Sequence, residues 1–219
     1  MSEWWRDQQL WRDLGPFLFS EAILSTGEGE VEELIDELEP PDGGRILDVG
    51  CGLGRLQIPL VKRGYDVVGL ELCAEYRRQA RARAVRFGVE LEIKPQDVFG
   101  YDLEEGQERF DAVLDVFAVL GYSSDPLADI VLAQKFRTLL KSGGEVFIQT
   151  RIPQLTTGNV QHKTSSGGLC IEVRSYDQSS RTMFTRWTVC SRRGNRQYTT
   201  AVRVYTRDDL KGLLEFVGF

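Results

Sequence analysis

A glycine-rich turn that directly follows an apolar strand constrains the fold of this chain more than any other feature. The strand pattern at 45–49 runs into Gly50, Gly52 and Gly54, three glycines spaced by single residues. Glycine adopts positive φ without strain and has no Cβ, so the backbone of such a turn can approach a ligand closely. The turn also leads into a helix whose first amides point toward the same place, and the whole pattern predicts a ligand cradle.

Acidic residues lie at or near the ends of the strand patterns that surround this turn. Asp48 precedes the first glycine by two positions, Glu71 follows the strand at 66–70, and Asp97 follows the strand at 90–93. Asp115 ends a fourth, nearly continuous apolar strand at 111–115. Each carboxylate alone is compatible with a helix cap or a solvated loop. Together, in this order, they indicate a cofactor site at one edge of a sheet.

The alternation of strand and helix patterns predicts an α/β fold with a doubly wound, mainly parallel, Rossmann-like sheet. A fifth strand is expected at 144–150, and helical patterns occupy 54–63, 74–87 and 126–140. Apolar residues at helical spacing predict that the last of the helices before the glycine turn packs on the core; they are Val31, Leu34, Ile35 and Leu38.

Beyond Thr150 the pattern changes to period two, which predicts an antiparallel β insertion after the fifth strand. Strands are expected at 169–176, 181–190 and 196–205, with Ile171 and Val173 marking an apolar face of the first. The polar segment 158–163 is expected to be a loop. The predicted organisation is a helical lid or cap at 1–43, a cofactor-binding core at 44–155, the insertion at 156–205 and a returning helix at 206–219.

The glycine turn and the acidic strand ends resemble the motifs of the class I S-adenosylmethionine (SAM)-dependent methyltransferases. The resemblance implies SAM as cofactor and S-adenosylhomocysteine as product. It further implies that Glu71 accepts the ribose hydroxyls and that Asp97 accepts the exocyclic amine of the adenine. The residues that the resemblance places at the cofactor are Asp48, Gly50, Cys51, Gly52, Glu71, Leu72, Asp97, Val98 and Asp115.

Segment 117–122, together with the patterns at 16–20 and 204–206, is similar to a small-molecule branch of that family. This branch includes N-methyltransferases of amino sugars and of glycine-type amines, so the resemblance implies a small-molecule acceptor, with an amine favoured and a hydroxyl left open. Candidates for contact with the acceptor are Tyr122, Arg151 and His162, and Tyr122 is also the candidate for orienting it in catalysis. No residue is assigned as a catalytic base, and no metal site is expected.

Two other functions share parts of this pattern. A NAD-type Rossmann oxidoreductase would use the glycine turn and Glu71, although its third glycine normally follows three residues after the second. A catalytically silent SAM-binding protein would keep every cofactor motif and use the insertion as an interaction surface. The exposed edge of the insertion also suggests a homodimer.

The amino-acid composition limits the kinds of partner that this chain is expected to bind. The chain has 27 Lys and Arg against 33 Asp and Glu, a net charge of −6, which argues against a broad nucleic-acid-binding surface. Its four cysteines form no Cys-x-x-Cys pair and are expected to be reduced thiols. No apolar run approaches the roughly 20 residues of a membrane span, so we expect no membrane association and a cytoplasmic location.

Overall fold

A five-stranded parallel sheet forms the centre of the computed structural model, which describes residues 3–117, 119–150, 158–164, 168–191 and 194–219. The strand order is β3-β2-β1-β4-β5, and every neighbouring pair is parallel. The strands are β1 (Arg45–Val49), β2 (Asp66–Leu70), β3 (Glu92–Lys94), β4 (Phe110–Asp115) and β5 (Leu140–Ile148). The chain reverses its direction of progress between β1 and β4, which is where ligands bind in sheets of this type.

Helices cover both faces of this sheet, as the near-continuous apolar strands predicted. They are α1 (Gln8–Leu18), α2 (Glu21–Ser25), α3 (Gly27–Leu38), α4 (Gln57–Lys62), α5 (Ala74–Arg86), α6 (Pro126–Leu139) and α7 (Arg207–Phe216). On one face, Val31 and Leu34 of α3 are buried with Leu60 of α4. On the other face, Phe136 of α6 belongs to a buried cluster that includes Phe110 of β4. The doubly wound α/β fold is therefore confirmed.

A separate antiparallel sheet follows the fifth strand, in the order β6-β7-β8-β9. Its strands are β6 (Gly158–Lys163), β7 (Leu169–Asp177), β8 (Thr182–Ser191) and β9 (Gly194–Arg203). The expected loop at 158–163 is wrong, because this polar segment pairs with β7 along its whole length. An edge strand of polar residues gives no apolar alternation, and only the pairing with β7 makes it a strand.

The register of this sheet shows which residues of β7 share a face with Trp187. Glu172 pairs with Trp187, whereas Ile171 pairs with Thr188, and paired residues point to the same face of a sheet. The face that carries Trp187 is therefore lined by Cys170, Glu172 and Arg174 of β7 and not by the two aliphatic residues. We call this surface the inner face.

The N-terminal segment, residues 3–18, packs against the inner face through helix α1. Leu10, Leu14 and Phe17 of α1 form a buried cluster with Cys170 and Trp187. Burial of such side chains stabilises the contact by about 1.5–3 kcal/mol each. The N-terminal helix and the antiparallel sheet thus lie together over the carboxyl edge of the parallel sheet. In the described part of the chain, no helix is long and apolar enough to cross a membrane.

Helix α4 and strand β5 begin at residues other than those predicted, and each difference has a local cause. Helix α4 begins at Gln57 and not at 54, because residues 51–56 are still part of the turn. Strand β5 begins at Leu140, earlier than expected, and the extra residues are accommodated by an irregularity opposite Phe110 and Ala112. The last helix begins with a capping box, since Thr206 and Asp209 each accept a hydrogen bond from the backbone of the other.

Candidate active site

A cavity of about 590 Å³ lies between the carboxyl edge of the parallel sheet, the N-terminal segment and the inner face. Its volume is in the usual range for sites that hold a cofactor and a small ligand. The part of its lining that comes from the strand ends of the parallel sheet includes Asp48, Glu71 and Asp97 and is called here the cofactor end. The part that comes from the loop after β4 and from the antiparallel sheet is called the acceptor end, and it includes Tyr122, His162, Glu172, Arg174 and Trp187.

The glycine turn has the backbone that its sequence demands. Gly50 and Gly52 have φ angles of 72° and 55°, a region that other L residues rarely adopt. A Cβ on Gly52 would also lie 2.9 Å from the ring of Phe19. The Gly52 amide donates to Glu71 Oε2 at 3.0 Å, and Gly50 and Cys51 line the cavity. The turn is therefore tight, and two of its residues face the space where a ligand binds.

Asp48 is the most unusual group at the cofactor end. Its side chain is 3 % exposed, and its Oδ2 has no hydrogen-bond partner among the described residues. Burial raises the pKa of this carboxyl to about 7, Arg55 opposes that rise, and the charges of Glu71 and Asp115 add to it. A buried carboxylate oxygen without a donor is costly. The site can therefore accept a donor that the described residues do not supply, and a cationic amine fits it best.

Glu71 extends from the end of β2 toward the turn. Its Oε1 accepts the Cys73 amide at 2.6 Å, and its Oε2 accepts the Gly52 amide at 3.0 Å. Burial raises the pKa of Glu71, while these two amide bonds oppose the rise. Each carboxylate oxygen has two lone pairs, so both can still accept a hydroxyl. The neighbouring Leu72 also lines the cavity.

Asp97 and Val98 line the cavity, but the Asp97 carboxylate already has partners. Oδ1 accepts the Gly100 amide at 2.9 Å, and Oδ2 accepts Arg6 Nη2 at 2.7 Å. Sequence reasoning missed Arg6, because nothing in the local sequence connects the N-terminus to a loop 91 residues away. The acceptance of the adenine amine by Asp97 stays a prediction.

Asp115 is fully buried and does not line the cavity. Its two oxygens accept the amides of Val119 at 2.7 Å and Leu120 at 3.3 Å. Burial raises the pKa of Asp115 to about 6, these amides oppose the rise, and the charge of Asp129 adds to it. The geometry supports a role in shaping the loop after β4, and a direct cofactor contact by Asp115 stays a prediction.

That loop is strained where it borders the cavity. Phe117 has a φ of 70°, is exposed, and lies with its ring 4.8 Å from the Arg55 guanidinium carbon. Such a conformation costs about 1–3 kcal/mol in a residue other than glycine and is found most often at functional sites. The loop is held in place by Asp129, which accepts the Gly121 amide at 2.8 Å and pairs with Arg203 and Tyr205.

Tyr122 lies among the aromatic residues of the N-terminal segment. Its ring is 4.5 Å from that of Trp4 and 6.1 Å from that of Trp5. Trp4 Nε1 donates to the carbonyl of Ala201 in β9 at 3.1 Å, which fixes the indole against the insertion. The structure thus brings the predicted acceptor residue Tyr122 and the tryptophans of the predicted lid to one wall of the cavity.

His162 lines the acceptor end from β6, together with Glu172 and Arg174, two residues that sequence reasoning missed. Its Nε2 lies 2.7 Å from Glu172 Oε2, and Arg174 Nε donates to Glu172 Oε1 at 2.5 Å. Charged residues at alternate positions of a strand that also carries an inward Cys170 were the available signal. Arg151 lies outside the described residues. Within those residues, no group of three or more His, Cys, Asp or Glu side chains could hold a metal ion.

Comparisons with known proteins agree with this architecture. The curated relatives include the ubiquinone biosynthesis O-methyltransferase of Ruegeria sp. (strain TM1040), 32 % identical over 146 residues that cover 65 % of this chain and 56 % of the relative. The enzyme of the same name from Aliivibrio fischeri (strain MJ11) is 38 % identical over 108 residues, which cover 49 % of this chain and 44 % of the relative. The chain spans about half the length of the curated relatives that it matches.

Similar solved structures include the CcbJ methyltransferase from Streptomyces caelestis, with a TM-score of 0.72 and 22 % identity over 88 % of this chain and 78 % of that one. Another is CalS10, an amino pentose methyltransferase from Micromonospora echinaspora, with a TM-score of 0.63 and 22 % identity over 96 % of this chain and 87 % of that one. At these identities the likeness shows the fold. The family model described as a methyltransferase domain matches residues 23–219, and the chain therefore belongs to the methyltransferase-domain family.

Proposed function

We propose that this protein transfers the methyl group of SAM to a small-molecule acceptor. The observation that carries the proposal is Asp48, a buried carboxylate whose Oδ2 has no hydrogen-bond donor among the described residues and which lines the cavity. The methionine part of SAM ends in a cationic amine, which would supply the missing donor and the missing charge. The family membership and the resemblance of the glycine turn to SAM-binding motifs support the same cofactor.

The cofactor end contains the other groups that SAM requires. Glu71 has free lone pairs for the two ribose hydroxyls, and the backbone of Gly50 and Cys51 borders the same space. When bound, SAM supplies a methyl group that is already activated by its sulfonium. The chain therefore has to align the acceptor and exclude water, and the indoles of Trp4 and Trp5, which line the cavity, would contribute to excluding water.

The same carboxylate argues against a NAD-type oxidoreductase. A dinucleotide places its anionic pyrophosphate at the glycine turn, where helix amides stabilise it. Here the buried Asp48 lies beside that turn, and its ionised form would repel an anion. A catalytically silent SAM-binding protein is disfavoured by the acceptor end, because its buried polar groups would serve no purpose without an acceptor.

The atom that receives the methyl group is either an amine nitrogen or a hydroxyl oxygen. The solved structures with similar folds include a sugar N-methyltransferase and an amino pentose methyltransferase, whereas the curated relatives carry the name O-methyltransferase. The amine favoured by the sequence resemblance stays a prediction. The charges at the acceptor end favour a hydroxyl, as argued in the next section.

Calorimetric titration with SAM, S-adenosylhomocysteine and NAD tests the cofactor. We expect micromolar binding of SAM, no binding of NAD, and a loss of SAM affinity of about 10- to 100-fold in Asp48→Asn, which follows from about 1.5–3 kcal/mol for a charged hydrogen bond. Asp66→Asn is a matched control, because Asp66 is an exposed carboxylate at the opposite end of β2. Binding of NAD, or unchanged SAM affinity in Asp48→Asn, would contradict the proposal.

A further inference from the structure

We propose that His162 is the general base of the reaction, that Glu172 holds it in the required tautomer, and that the acceptor is a hydroxyl on an aromatic ring. This inference rests on the proposed function, because it assigns the acceptor end of the same cavity. It adds a base, a positioning residue and a substrate class to that function.

Glu172 is the centre of the arrangement. Its side chain has no exposed surface, although it lies on a strand that borders the cavity. A carboxylate in such a position is tolerated only when it is paired and hydrogen-bonded. Both of its oxygens are used, one by His162 at 2.7 Å and the other by Arg174 at 2.5 Å. Glu172 therefore fixes the position of both side chains at the cavity wall.

The pairing also determines what the imidazole can do. An ionised carboxylate only accepts hydrogen bonds, so Nε2 of His162 carries the proton that faces Glu172. The proton on Nε2 leaves a lone pair on Nδ1, which makes Nδ1 the nitrogen that can accept a proton. A histidine oriented by a buried carboxylate is the arrangement that serves as a general base in acyl transfer, and the same physical logic holds for any acidic O–H group.

The charges at this end favour a hydroxyl acceptor over an amine. The negative charge of Glu172 is already balanced by the Arg174 guanidinium, so a cationic ammonium would find no unpaired anion in this cluster. A hydroxyl becomes more negative as it loses its proton. The nearby guanidinium stabilises that developing charge, in the way that preorganised donors stabilise oxyanions.

The aromatic side chains that line the cavity indicate what kind of group carries the acceptor hydroxyl. The Trp187 ring lies 6.2 Å from the His162 ring at an interplanar angle of 34°, and Trp4 and Tyr122 form a second aromatic surface on the same cavity. Flat aromatic walls accept a flat ring in offset or edge contacts. A phenolic hydroxyl, with an ordinary pKa of about 10, is also a far easier proton donor to imidazole than an aliphatic hydroxyl.

The proposed step moves one proton and one methyl group. The acceptor O–H bond breaks and its proton passes to Nδ1 of His162, while the oxygen uses its electron pair to form the new bond to the methyl carbon. The S–CH₃ bond breaks at the same time, and its electron pair stays on sulfur. The protonated imidazole then releases its proton to solvent.

The single histidine of this chain makes the base directly observable. In a two-bond ¹H–¹⁵N spectrum of histidine-labelled protein at about pH 8, with S-adenosylhomocysteine bound, we expect one imidazole in the Nε2–H tautomer. Millimolar catechol should shift these signals saturably, and benzylamine should not. Glu172→Gln should give a mixture of tautomers. An Nδ1–H tautomer in the wild-type protein, a response to benzylamine alone, or no response to catechol would overturn the proposal.

Turnover gives a second test with a matched control. With catechol as acceptor, His162→Gln should lower kcat by about 100-fold or more, as expected for loss of a general base, and should leave the Kd for SAM unchanged. Gln161→Ala should keep full activity, because Gln161 lies on the outer face of the same strand, opposite Ile171. Equal activity of His162→Gln and wild type, or no wild-type turnover of catechol, overturns the inference. If the wild-type protein does not bind SAM, the proposed function itself is contradicted.

Discussion

Replacing Asp48 by asparagine should change the pH dependence of stability in a direction that the structure determines. Burial raises the pKa of this carboxyl from 3.8 to about 7. In the unfolded chain the group ionises near its ordinary value, so between about pH 4 and pH 7 the folded state keeps a proton that the unfolded state has released. The stability from protonated Asp48 is complete below pH 4 and is lost as the pH rises through 7.

The magnitude follows from the size of the shift. A difference of about 3 pH units, at 1.36 kcal/mol per unit, makes the Asp48 contribution about 4 kcal/mol less favourable at pH 8 than at pH 4. Asparagine does not ionise in this range and keeps nearly the same shape. The difference in unfolding free energy between Asp48→Asn and wild type should therefore rise by about 1.4 kcal/mol per pH unit between pH 5 and pH 7, in favour of the variant.

Urea denaturation of the cofactor-free proteins at several values between pH 5 and pH 8 measures this difference, provided that the m values agree. Asp66→Asn, in which an exposed carboxylate is changed, should show no such slope. The variant that gains stability at pH 8 should lose SAM binding, and wild-type affinity for SAM should fall about tenfold per pH unit below pH 7. A difference between Asp48→Asn and wild type that does not vary with pH would refute the reasoning, because it would mean that Asp48 is ionised when buried.

Three further predictions concern the contacts that shape the cavity. Gly121→Ala should lower the unfolding free energy by about 2–4 kcal/mol in urea titration, because Gly121 has a φ of 89° and a Cβ there would overlap the carbonyl of Arg203. Asp129→Asn should lower the melting temperature markedly, since it leaves the Arg203 guanidinium without its buried counter-charge, a loss of about 3 kcal/mol or more; a near-native melting temperature would contradict this. Arg6→Ala removes a partly exposed ion pair with Asp97, so stability should change by less than about 1 kcal/mol. Dissociation of SAM, followed by stopped-flow tryptophan fluorescence, should nevertheless become several-fold faster, and an unchanged rate would exclude a role for this ion pair in closing the cavity.

The parallel sheet and the cofactor end were accessible from sequence because their signals are local. An apolar strand, a glycine turn and an acidic residue at the next strand end are each encoded within a few positions. The parallel topology then brings the strand ends together without further information. Asp48, Glu71 and Asp97, which are distant in sequence, accordingly line one cavity.

The acceptor end could not be predicted from local sequence in the same way. Pairing between distant strands determines which of its side chains face the cavity. His162 was identified as a candidate, but its strand β6 has no apolar alternation and exists through its pairing with β7. Ile171 and Val173 mark an apolar face of β7, but the register places them on the outer face, where they are half-buried. The register with Trp187, set by long-range pairing, places Glu172 on the inner face.

Local sequence motifs form the cofactor end of the cavity, and long-range strand pairing forms its acceptor end. In the proposed function, SAM is held by strand-end carboxylates and turn amides, which belong to the parallel sheet and not to the antiparallel one. The acceptor end uses side chains of β6 and β7, whose inner-face positions can change while the glycine turn stays intact. Substitutions at Glu172 and Asp48 should therefore be additive in SAM affinity and should separate in acceptor turnover, since independent sites add and coupled ones do not. Strong coupling between them in SAM affinity would show that the antiparallel sheet takes part in holding the cofactor.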